Sequence, residues 1–122
     1  RYELMASYAR EVRLACASEL ARLKSERQQV AVETLQRVRK WLHRDDDKVP
    51  ANLRGDVSKA LADNPTLAKL VAMREELRQV WTKTNVSADQ LAHELQAWCQ
   101  KAEASGIQAL QEFSVKLRAA NA

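Results

Sequence analysis

Apolar residues recur at three- and four-residue intervals along nearly the whole chain, and each break in that rhythm predicts an element boundary. Met5, Tyr8, Ala9, Val12, Ala15, Cys16, Leu20 and Leu23 form one stripe, with Arg10, Glu11, Arg13 and Arg22 mostly off it, which predicts a first helix of about six turns. The polar patch Ser25-Glu26-Arg27-Gln28-Gln29 interrupts it, and Ala31, Leu35, Val38 and Leu42 resume in a new phase. This predicts a short break and a second helix, with one long kinked helix as the alternative. His43 to Val49 is polar and runs into Pro50, so it reads as a loop. Leu53, Val57, Ala60 and Leu61 predict a short third helix that contains Gly55.

Asn64-Pro65 predicts the start of a fourth helix, asparagine as N-cap and proline at the first helical position. Leu67, Leu70, Val71, Leu77, Val80 and Trp81 carry it to near Asn85. Ser87-Ala88-Asp89-Gln90 matches a capping box and opens a fifth helix bearing Leu91, Leu95, Trp98, Cys99 and Ala102. Gly106 suits its left-handed C-terminal cap, and Ala109, Leu110, Phe113 and Leu117 predict a sixth helix. The expected architecture is all-α, a single-domain bundle of about five to six helices over residues 1–122. Trp81 and Trp98 are its expected core anchors, and the mixture Arg74-Glu75-Glu76-Leu77-Arg78 is expected to solvate the fourth helix.

Composition sharpens this picture. With two glycines, two prolines and abundant Ala, Leu, Gln, Glu, Lys and Arg, the 122 residues favour helix and suffice to bury a core without disulfides or metal. Cys16 and Cys99 lie inside apolar helical patterns with no CxxC, so buried reduced thiols are expected, in keeping with a reducing cytoplasm. No run approaches the roughly eighteen apolar residues of a membrane span, and no signal peptide is present. The chain begins at Arg1 without an initiator methionine and enters helical periodicity within a few residues, as expected of a fragment of a longer protein.

Candidate chemistry centres on WLHRDDDKVP, residues 41 to 50. A calcium loop counted from Asp45 would need glycine at its sixth position and glutamate at its twelfth, where the chain has Pro50 and Asp56. Zinc would need a second histidine a helical turn away, and the other histidine, His93, is fifty positions on. A solvated cluster near a helix start is expected. GxSxG is absent, Cys99 has no adjacent base, and two glycines cannot build a phosphate loop, so no catalytic, cofactor-binding or metal residue is assigned.

Charge is more informative. Ten basic against five acidic residues through Arg44 net plus five, and the remainder nets minus one. Arg37, Arg39, Lys40, Trp41 and Arg44 form the candidate anionic-surface contact: phosphates of nucleic acid with the indole as stacking face, anionic lipid headgroups, or a solvated helix face with Trp41 partly buried.

RYELMASYAR at 1 to 10, AMREELRQVW at 72 to 81 and LQAWCQKAEASGIQALQEFSVKLR at 95 to 118 resemble the C-terminal soluble tail of proteobacterial membrane fatty acid desaturases of the acyl-CoA type. The same stretch is similar to a helical region of bacterial insertion-sequence transposases, where a tryptophan helix leads into SGI and then Leu and Phe positions. The chain's end at Ala122, four residues after Arg118, favours the desaturase tail. That resemblance implies a non-catalytic domain at the cytoplasmic face of the inner membrane, a di-iron centre in a separate membrane domain of the parent oxidoreductase, and contact with anionic lipid, a protein partner or a second copy. The transposase resemblance implies an Asp-Asp-Glu metal site, its last acid well beyond the SGI segment, and a nucleic-acid-binding role for this chain.

Overall fold

A computed structural model of the protein describes residues 2–83 and 85–120. The expectations attached to the chain's ends, at Arg1 and Ala122, lie outside the described residues. Six α-helices follow one another: α1 (Tyr2–Ser25), α2 (Gln29–Val38), α3 (Arg54–Ala62), α4 (Pro65–Thr82), α5 (Ala88–Glu103) and α6 (Gln108–Ala120). Two single-turn 3-10 helices, Asp46–Lys48 and Ala51–Leu53, occupy the connection between α2 and α3. The all-α bundle expected from the periodicity is present, with no strand among the described residues.

The α1 stripe supplies Tyr8, Val12, Cys16, Leu20 and Leu23 to one continuous core. Helices α1 and α4 lie at its centre: α2 and α3 pack on each other and on this pair from one side, α5 and α6 from the other. Tyr8, Trp98 and Phe113 meet edge to face, with centroids 4.9 to 6.3 Å apart, and join α1, α5 and α6. Both polar ends of this cluster reach α4: the Tyr8 hydroxyl donates to the Leu70 carbonyl, and the Trp98 indole N–H donates to the Met73 carbonyl at 2.9 Å. Burial pushes the Tyr8 phenol far above its usual range, so it stays a donor. Trp81, by contrast, is only partly buried and flanks the core. Both cysteines are free and buried, and burial pushes Cys16 up to about 11.

The boundaries follow local chemistry, with three departures. Ser87 caps α5 by accepting the Gln90 N–H at 3.1 Å, and Gly106 beyond its end has φ +74°. Asn64 stands at the N-cap position of α4 with Pro65 after it, but its amide turns back to donate to Ala60 O at 2.6 Å, closing α3 instead of opening α4. Helix α2 ends at Val38 rather than near Leu42; the chain tightens into i to i+3 turns, Trp41 N–H to Val38 O at 2.9 Å and Arg44 N–H to Trp41 O at 3.2 Å.

The short break expected after α1 is present, and the third departure lies within it. Arg27 adopts φ +57°, with Gln28 N–H bonded to Leu23 O at 2.9 Å in the six-to-one pattern of a Schellman turn. A side chain in this left-handed position costs energy that glycine avoids. Arg27→Gly is therefore expected to raise stability by about 0.5–1 kcal/mol, after allowing for glycine's looser unfolded state. The midpoint of a urea denaturation curve reads this directly; a midpoint that falls would mean that the Arg27 side chain holds the turn.

Candidate functional site

Premature ending of α2 determines where the basic residues point. Arg37, still helical, faces α3: its Nε donates to Asp56 Oδ2 at 3.2 Å, and a terminal nitrogen reaches Thr34 Oγ1 at 3.3 Å. Arg39, Lys40 and Arg44 lie in the turn beyond, all exposed, with no carboxylate partner among the described residues. Lys40 and Arg44 both approach the Trp41 ring, the Lys40 nitrogen 5.3 Å and the Arg44 guanidinium carbon 5.1 Å from a ring centroid. A regular helix would have spread these residues around a cylinder. The turn instead holds two cations against one aromatic ring at the surface.

Trp41 is partly buried, as in the solvated-face alternative, because its ring walls an apolar cleft of about 200 Å³ with Val49, Val57, Leu61 and Val71. Its indole N–H is buried and has no hydrogen-bond partner among the described residues. Trp41 also borders a second, open pocket of about 450 Å³, bounded by Trp41, His43, Arg44, Asp45, Lys48 and Arg74. His43 is partly buried there; burial first, then the charges of Arg13 and Arg44, with a smaller push from Arg74, hold its imidazole below the usual histidine range.

The three aspartates divide their work. Asp45 turns inward and accepts from Arg74 Nη1 at 3.1 Å, with Arg78 Nε 3.7 Å from the same oxygen. Asp46 pairs loosely with Arg54 at 3.9 Å, and Asp47 is exposed. The expectation of a solvated cluster therefore holds for Asp46 and Asp47 and is corrected for Asp45. Arg74 needs the matching correction: it was expected to solvate α4 but is only 8% exposed, and its Nε has no partner among the described residues. Of the same charge mixture, Arg78 does form the i, i+3 pair with Glu75 that helical spacing allows.

No three His, Cys, Asp or Glu residues come together in a way that could hold a metal ion among the described residues, and His93 is exposed on α5. Thus Lys40, Trp41 and Arg44 are brought together, Arg39 is exposed in the same turn with its charge felt at Cys16 of α1, Arg37 is drawn toward α3, and Arg13, Lys48 and Arg74 join from elsewhere. None of these three was singled out by the sequence. Lys48 was hidden among acids, and Arg13 and Arg74 come from helices 26 residues or more from the turn, so only the packing of α1 and α4 adds them.

A family model described as transposase, of the ISL3 type, matches residues 3–122. No curated protein and no solved structure matches the chain. The match supports the second of the two resemblances drawn from the sequence; the desaturase resemblance, and with it the di-iron parent and the lipid contact, finds no support. The expected place at the cytoplasmic face of the inner membrane is corrected by the same match. No helix among the described residues is long and apolar enough to cross a membrane.

Proposed function

Because the chain belongs to the ISL3-type transposase family, we propose that it acts as a helical nucleic-acid-binding module, with Arg39, Lys40, Trp41 and Arg44 as its contact surface. One observation carries this reading: Lys40 and Arg44 stand exposed against the Trp41 ring with no carboxylate among the described residues to neutralise them. Cations in this state are surrounded by mobile counterions in competition with phosphate, so binding a nucleic acid releases salt and gains entropy. The indole beside them adds an apolar surface for sugar or base, and Arg37 contributes charge while tying α2 to α3.

A metal centre of the Asp-Asp-Glu kind does not fit the described residues. Asp45 is engaged by two arginines, Asp46 faces a third, and guanidinium groups surround the adjacent histidine, an environment that repels a divalent cation. No reaction step is assigned to these residues.

The test is fluorescence anisotropy with a labelled DNA duplex and a labelled single strand over a salt series. Wild-type affinity is expected to fall steeply with salt, losing about 0.9 log unit per log unit of salt for each duplex phosphate neutralised. Arg39→Gln, Lys40→Gln and Arg44→Gln combined should flatten that slope by about two to three and weaken binding at low salt by about tenfold or more. All three residues are exposed, so helix content by circular dichroism should not change. A triple variant that retains the wild-type slope would sink the assignment.

A further inference from the structure

The open pocket beside Trp41 has features that a general basic surface lacks. Its rim carries Arg44 and Lys48, both exposed, while its floor includes Arg74, whose guanidinium is buried and already holds Asp45 at 3.1 Å. His43 lines the same pocket. The charged groups facing it are Arg13 from α1, Arg74 from α4, and Arg44, Asp45 and Lys48 from its own segment. Four cations against one carboxylate make this a place of positive potential. The single acid is tied to Arg74 and Arg78 and so offers little neutralisation to the rim.

We infer that this pocket seats one phosphate of the bound nucleic acid, gripped by Arg44 and Lys48 over the fixed charge of Arg74, and that His43 takes up a proton as the phosphate enters. The inference rests on the nucleic-acid reading of the turn and adds a defined subsite and a proton to it. In the free protein, burial and three neighbouring arginines keep the imidazole neutral near pH 7. A phosphate dianion or phosphodiester in the pocket reverses the local balance: it offsets the arginine charge and offers an acceptor to the second imidazole N–H. Binding then consumes a proton, so affinity rises as pH falls through the range in which histidine titrates.

The sources of phosphate are separated by two arms. In the first, imidazole signals of His43 in the full chain are followed by NMR against pH, alone and with a short DNA duplex; in the second, with inorganic phosphate. The duplex is expected to raise the His43 titration midpoint by about one unit, which makes binding several-fold tighter near pH 5.5 than near pH 8, with about tenfold as the limit well below the free midpoint. His43→Gln should abolish that pH dependence, and Lys48→Gln should flatten the salt slope by about one. His93→Gln should change neither, because that histidine is exposed on α5. A duplex that binds equally well at both pH values, or a pH dependence that follows His93, overturns the subsite and leaves the nucleic-acid reading intact. Should the duplex fail to bind while inorganic phosphate still raises the His43 midpoint, the subsite stands and the nucleic-acid reading falls. A midpoint that neither ligand moves removes the subsite, and the nucleic-acid reading falls with it only where the duplex also fails to bind.

Discussion

Trp98→Ala is expected to cost the bundle about 3–5 kcal/mol, a large share of the stability of an ordinary domain of this size. Three losses combine. The indole is 4% exposed, so its removal forfeits the transfer free energy of a large aromatic side chain and opens a void that the helices cannot fully close. It meets Tyr8 and Phe113 edge to face at 6.3 and 5.7 Å, contacts worth about 0.5–1.5 kcal/mol beyond area alone. It also donates to Met73 O, a helical carbonyl that keeps its own backbone donor when the indole goes, so no orphaned acceptor adds to the cost. Trp98→Phe should accordingly lose much less, because most of the volume and the ring contacts survive. Urea denaturation monitored by circular dichroism measures both, and a loss below about 1 kcal/mol for the alanine variant would show that α5 is not anchored through this residue.

Asp45→Ala is the second large effect, expected at about 2 kcal/mol. Breaking a fully buried ion pair by deleting one partner costs about 3–5 kcal/mol, because the other charge is stranded out of water. The Arg74 side chain is 9% exposed and Asp45 36%, so solvent enters where the carboxylate leaves and the cost is discounted accordingly. The control lies in the other half of the pair. Arg74→Met places an apolar chain of similar reach where a guanidinium has an unpaired Nε, and it should cost much less than Asp45→Ala. Combining the two should recover most of what Asp45→Ala loses, a coupling that a double-mutant cycle reads directly. An Asp45→Ala variant within about 0.3 kcal/mol of wild type would mean that Arg74 finds other partners on its own.

What the sequence disclosed and what it withheld separate along one physical line. Features written in neighbouring residues were legible: the stripes of α1 and α4, the serine cap at Ser87 and the left-handed Gly106. Features decided by distant partners were not. Nothing local marks Arg74 as buried, since Arg-Glu-Glu-Leu-Arg reads as a wet surface until Asp45, 29 positions earlier, turns toward it. Arg27 carries no glycine signal for its positive φ, and α2 shows no stop residue at Val38. The candidate site was half legible for the same reason: Arg39, Lys40, Trp41 and Arg44 are close neighbours in the chain, whereas Arg13 and Arg74 enter through packing. The tryptophans make the contrast plain, because Trp81 and Trp98 look alike on their stripes but only Trp98 finds a buried acceptor and two aromatic neighbours.

The phenol of Tyr8 and the indole of Trp98 clasp α4 at Leu70 and Met73, one turn apart, and Arg74 is the next residue along. Rolling α4 about its axis to re-aim that guanidinium would mean unlatching both aromatic groups together. Arg74 is thus a riveted charge, while Arg44 and Lys48 stand at the exposed rim: one part of the cradle is anvil, the other tongs.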